Sequence, residues 1–135
     1  MFLLDTNVVS ELRRQRPHGA VLNWIDTLES SAMSVAAATI GEIQTGIERA
    51  RDSNPAKALE IESWLEDFLH RMPVLPMDAE TFRIWARLMH RSPRQLSEDA
   101  MIAATALRHR LVAATRNTRD FKTFGVSLFN PFETD

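Results

Sequence analysis

A chain of 135 residues, 44% apolar and 25% charged, is the size and make-up of one domain with a single core, which excludes disordered and collagen-like classes. There is no cysteine, so disulfides and thiolate metal sites are excluded and a reducing cytoplasm is the natural setting. A net charge of −2 argues against a surface built wholesale for polyanions, although arginine outnumbers lysine fourteen to two and suits bidentate contacts to phosphate or carboxylate.

In chain order, the first apolar run is Phe2–Leu4, and Asp5 follows it at once. Further short runs are Ala32–Ala36, Val74–Leu75, Leu111–Ala114 and Val126–Phe129. Several are apolar throughout, the pattern of strands covered on both faces. Between them lie helical stripes. Val21, Trp24, Ile25 and Leu28 form one, and Ala36, Ile40, Ile43, Ile47 and Ala50 another. Ile61, Leu65, Phe68 and Leu69 follow, then Phe82, Trp85, Ala86 and Met89. The stretch Ala100–Leu107 is small and apolar nearly all round, which predicts a helix buried on most sides, with Ser97 as its cap. Asn54-Pro55 starts a helix, and Pro73 and Pro76 bracket a short strand. No repeat, linker, secretory signal or membrane-length apolar run interrupts this order. The expectation is one α/β domain over 1–135, with a mainly parallel sheet of about five strands and helices on both faces.

In such a fold the strands end at one edge, and ligands bind there. Asp5 stands at the carboxyl end of the first strand, Glu42 about two turns into the helix after the second, and Asp99 in the first turn of the small-residue helix. Asp120 follows the turn after Leu111–Ala114. Singly, each acid has an ordinary reading: Asp5 and Asp99 as helix-start acids, Glu42 as a solvated side chain, Asp120 as a surface partner of Arg119. Together they are four carboxylates converging on one edge, whose repulsion a bound cation relieves. Oxygen donors without cysteine suit Mg²⁺, with Mn²⁺ able to replace it. Such a site acts on a phosphodiester, by one ion with a carboxylate as base or by two ions sharing the work.

The stretches LLDTNVVSEL, GEI around Glu42, EDAMIAATAL around Asp99 and ATRNTRDF around Asp120 resemble the PIN-domain nucleases. Within them the whole chain resembles the VapC toxins of type II toxin–antitoxin operons, including the FitB-like and plasmid-stability branches. The resemblance implies an α/β/α sandwich and Mg²⁺-dependent RNA cleavage leaving a 3′-hydroxyl and a 5′-phosphate. It implies Asp5, Glu42 and Asp99 as the core catalytic acids, with Asp5 and Asp99 the direct metal ligands. The fourth acidic place falls to Asp120, with Asn117 as an orienting partner, although some relatives carry their acid where Asn117 stands. Thr6, Asn7 and Thr115 are implied as hydrogen-bonders that fix the carboxylates. A homodimer and a VapB-like antitoxin are implied, operator DNA being bound only through the antitoxin. For RNA, Arg13, Arg14, Arg116 and Arg119 are the candidate rim contacts, against the ordinary reading that Arg13 and Arg14 end a helix favourably.

Two rival readings differ in testable ways. An aspartyl-phosphate phosphatase also begins with a strand followed by Asp-x-x-Thr-like chemistry, but it wants a second acid where Asn7 stands and a lysine near the phosphate. A catalytically inactive PIN-like module would bind RNA or a partner without cutting, yet this chain keeps the full acid set.

Overall fold

The structure, a computed structural model, describes residues 1–133. Positions 134 and 135, the end of the expected domain, lie outside the described residues. Five strands form one sheet: β1 (Phe2–Leu4), β2 (Met33–Ala36), β3 (Val74–Leu75), β4 (Val112–Ala114) and β5 (Leu128–Phe129). All pairings are parallel, in the order β3-β2-β1-β4-β5. Parallel neighbours need long crossovers, and helices fill them. β1 leads through α1 (Thr6–Arg13) and α2 (Gly19–Asp26) to β2, which leads through α3 (Ala37–Ser53) and α4 (Pro55–Arg71) to β3. α5 (Ala79–Met89) and α6 (Ser97–His109) return the chain to β4, and α7 (Thr118–Phe121) precedes β5.

The apolar runs are strands because both sheet faces are covered. Leu3 packs with Ala100, Ile102, Ala103 and Phe121 on one face, and Leu4 with Val8, Val21, Ile47 and Leu65 on the other. Successive strand residues point to opposite faces, so one central strand seeds both cores of a three-layer sandwich. α6 lies against the sheet through Ala100, Ala103 and Ala106, all fully buried; larger side chains would hold it away. Among the described residues no helix is long and apolar enough to cross a membrane.

Three strand starts fall later than the apolar runs suggest. Ala32 ends a 3₁₀ turn, and Leu111 and Val126 precede their strands, because hydrophobic runs also cover the turns that feed a buried sheet. Ser97 is not a cap. A 3₁₀ turn at Arg94–Leu96 runs straight into α6, so Leu96 occupies the cap position and Ser97 is already helical. Its carbonyl instead accepts the Trp85 indole N–H at 3.1 Å, tying α5 to the start of α6. Asn54 does cap α4, accepting from the Lys57 N–H at 3.2 Å ahead of Pro55 in the first turn.

Candidate active site

From β1 the chain moves outward to β2 and β3, then returns to the other side of β1 for β4 and β5. The order therefore reverses between β1 and β4, at whose carboxyl ends the crossovers part and leave a crevice. Leu4 and Ala114 are register partners there, so the next residues, Asp5 and Thr115, stand side by side.

Asp5 is only 3% exposed. Its Oδ1 accepts the Thr6 N–H at 2.8 Å, which caps α1. Its Oδ2 accepts from the Thr115 hydroxyl at 2.6 Å and from Asn7 Nδ2 at 3.0 Å. Burial pushes its pKa up, and the bonds from Thr115, Thr6 and Asn7 oppose that push. An ionised carboxylate has about four acceptor directions, so three donors leave one for a further partner.

Glu42 is half-buried on α3. The Thr6 hydroxyl lies 3.0 Å from Glu42 Oε1 and 3.2 Å from the hydroxyl of Thr39. Burial raises the Glu42 pKa to about 7, helped by the negative charges of Asp5, Glu98 and Asp99 and opposed by the Thr6 bond. Asp99 is raised to about 6 by burial and by Asp5, Asp120 and Glu98. Asn117 moderates this by donating to Asp99 Oδ2 at 2.9 Å. Asn117 is itself held through its backbone N–H, which donates to Thr115 Oγ1 at 2.9 Å. The Arg116 N–H donates to Asn7 Oδ1 at 3.2 Å, closing a net that joins the ends of β1 and β4.

Three carboxylates from separate elements thus feel one another across one edge. Among the described residues, no three acidic or imidazole groups close in tightly enough to make a finished ion cage. Mg²⁺ does not require one: it keeps several waters and takes one or two carboxylates. The free acceptor direction on Asp5 and the unbridged Oδ1 of Asp99, in an all-oxygen surrounding, fit that ion and exclude a soft one.

A family model described as "PIN domain" matches residues 2–126. The chain belongs to the PIN-domain family. It is 34% identical over 139 aligned positions to "VapC ribonuclease Y4jK" of Sinorhizobium fredii, covering 98% of this chain and 99% of that protein. It matches "Toxin FitB" of Neisseria gonorrhoeae at the same identity and coverage. The crystal structure of FitAcB from Neisseria gonorrhoeae superposes with a TM-score of 0.86 at 34% identity, over 99% of this chain and all of that one.

Within this PIN domain the remaining predicted residues divide. Asp120 lies in α7 and reaches the site as a repelling charge on Asp99; it is Asn117 that touches Asp99. Arg116 and Arg119 are exposed beside the crevice, with the Arg116 guanidinium 3.8 Å above the Phe132 ring. Arg13 and Arg14 do not meet the acids. They end α1, about 12 Å along the helix from Asp5, and Arg14 pairs with Glu11 at 3.3 Å. Lys57, which a phosphatase would need near the phosphate, pairs with Glu60 on α4 instead. Sequence reasoning missed Thr39, fully buried one helical turn before Glu42. The available signal was a hydroxyl on the Glu42 side of an otherwise apolar helix start. Glu98, exposed beside Asp99, adds a further negative charge to the edge.

Proposed function

We propose that this chain, read as a single PIN domain over 1–135, is a Mg²⁺-dependent endoribonuclease and the toxin of a type II toxin–antitoxin module. The observation that carries the reading is the crowding of Asp5, Glu42 and Asp99 at the β1/β4 crevice, where burial and mutual repulsion raise the pKa of Glu42 to about 7 and that of Asp99 to about 6. The ribonuclease and toxin names of full-length relatives support it.

Asp5 and Asp99 are the residues that would hold the ion, Asp5 locked by three donors and Asp99 by Asn117. A bound Mg²⁺ would supply charge neutralisation at the phosphate and acidify water. Glu42, with a pKa of about 7, is poised to take a proton from the attacking water at neutral pH. Thr6 has one hydroxyl proton. Given to an ionised Glu42, which can only accept, it leaves Thr39 as the donor to Thr6. The Thr39–Thr6 pair therefore fixes the direction in which Glu42 Oε1 points. Asp120 adds negative charge behind Asp99 rather than a ligand. Arg116 and Arg119 meet phosphates of the RNA at the rim.

The same acidic crevice would accept an arginine from a VapB-like antitoxin, since a guanidinium satisfies several carboxylates at once. Operator DNA would be bound only through that partner, and the toxin would be a homodimer. The test is purified, antitoxin-free protein with RNA. Cleavage should require Mg²⁺, stop with EDTA, and vanish in Asp5→Asn, which keeps a capping side chain on α1. Cleavage that survives in Asp5→Asn refutes the site.

A further inference from the structure

Beyond β5, at the carboxyl edge of the sheet, Asn130 makes a turn. Its Oδ1 accepts the Phe132 N–H at 3.0 Å and its carbonyl accepts the Glu133 N–H at 3.4 Å. The turn sets Phe132, half-buried, against the core cluster that contains Leu4, Val8 and Val21. His18, in the connection between α1 and α2, meets the ring edge-on, with centroids 5.2 Å apart and planes at 67°. The Arg116 guanidinium carbon lies over the same ring, 3.8 Å from its centroid. The brace under this ring accounts for Glu11, a buried carboxylate on the otherwise apolar inner face of α1 that has no place among the acids of the crevice. Glu11 Oε1 accepts the His18 N–H at 2.9 Å while Oε2 pairs with Arg14, so the α1–α2 connection is pinned where it supports Phe132.

Arg116 is tied to the acids at its backbone. Its N–H donates to Asn7 Oδ1, and Asn7 Nδ2 donates to Asp5 Oδ2. Its head is held by a ring, and a ring holds a guanidinium differently from a carboxylate. Arg51 gives its N–H groups to Glu48 and Glu62, which also offset its charge. The electron-rich face of Phe132 attracts Arg116 but takes none of its N–H donors and leaves its charge whole. Among the described residues Arg116 is the one cation placed over an aromatic face. An exposed arginine otherwise samples many rotamers, and fixing it beforehand lowers the ordering cost of binding. We propose that Phe132 is a positioning residue for RNA: braced by His18, it holds the Arg116 guanidinium ready for a phosphate at the rim of the acid crevice. The inference rests on the ribonuclease reading for its ligand and adds the residue that aims the contact.

The test is fluorescence anisotropy of a fluorescein-labelled single-stranded RNA, with EDTA present to prevent cleavage. Arg116→Gln should weaken binding and reduce the slope of log affinity against log salt by about 0.7, the loss of one phosphate contact. Phe132→Leu, which keeps an apolar side chain, should weaken binding about two- to fivefold, the scale of one exposed cation–π contact. It should add nothing in the Arg116→Gln background, because the two residues act through one contact. Phe132→Tyr keeps the ring and should bind as the wild type does. A pentafluorinated phenylalanine at this position has nearly the same shape but a face stripped of negative charge, and should weaken binding as leucine does; a ring that only packs would not respond. Wild-type affinity with the fluorinated ring overturns the positioning role, and so does an equal loss from Phe132→Leu in the Arg116→Gln background. Failure here is separable from failure of the ribonuclease reading. Arg116→Gln at wild-type affinity removes the RNA contact from that reading, and the inference falls with it. Weak binding by Arg116→Gln beside full binding by Phe132→Leu leaves the contact and removes only the role of Phe132.

Discussion

Glu42 and Glu48 sit on the same helix, six residues apart, and their pKa values move in opposite directions. Glu48 faces water and takes hydrogen bonds from Arg51 at 3.1 and 3.2 Å and from Gln44 at 2.7 Å, which lower its pKa. Glu42 faces a crevice where, among the described residues, its hydrogen-bonding neighbour is a threonine, and burial with the charges of Asp5, Glu98 and Asp99 raises its pKa to about 7. Helix and residue type are the same, so the difference comes from company. Glu48 is charge already answered, and Glu42 is charge awaiting an answer.

The contrast breaks most visibly at the acids themselves. Asp99→Asn should lower single-turnover RNA cleavage by about a thousandfold, in the range of losing a catalytic carboxylate. The same substitution should raise the melting temperature measured in EDTA, because one repelling charge is gone, and should shrink the rise produced by millimolar Mg²⁺. An unchanged response to Mg²⁺ would remove Asp99 as a ligand.

The next effect is read in pH. Glu42 and Asp99 have folded pKa values above their ordinary ones, so the native state holds extra protons between about pH 4 and 7. Their contribution to stability is therefore present at low pH and lost as pH rises through 6 to 7. In EDTA the melting temperature should fall over that interval, and the fall should be smaller in Glu42→Gln. Cleavage should run the other way, gaining over the same interval as Glu42 ionises. Glu42→Gln should cost about a hundredfold in rate and flatten the part of the profile near pH 7.

Thr39→Val keeps the shape of a buried side chain and removes one hydroxyl. If Thr39 aims Glu42 through Thr6, kcat should drop about tenfold with KM little changed, and Thr39→Ser should restore it. A variant in which only stability changes would make Thr39 a packing residue. The smallest effect belongs to the answered side. Arg51→Gln removes ion pairs to Glu48 and Glu62 that are exposed to water, and it should leave cleavage and its pH profile unaltered.

Much of this was legible before any coordinates. Apolar runs without alternation marked strands covered on both faces, and the acids at their carboxyl ends marked the edge. What resisted was whatever depends on neighbours from elsewhere in the chain. Ser97 has the chemistry of a cap but sits inside the helix because the preceding turn winds directly into it. Thr39 reads as an ordinary helix residue until Thr6, thirty-three positions earlier, is set against it. Arg13 and Arg14 follow Asp5 closely in sequence, yet an eight-residue helix carries them to its far end. Asp5 posed a choice between cap and ligand. Its Oδ1 takes the cap, and its Oδ2 turns to the crevice net of Thr115 and Asn7.

The central strand is the first one made, and its neighbour on the crevice side is the fourth. Thr115, which clamps Asp5, lies 110 residues downstream of it. The two halves of this edge therefore meet only after those 110 residues have been made. The Asp5 clamp is thus a contact of very long sequence separation, and the edge forms only once the β1 and β4 ends of the chain are both folded onto the sheet.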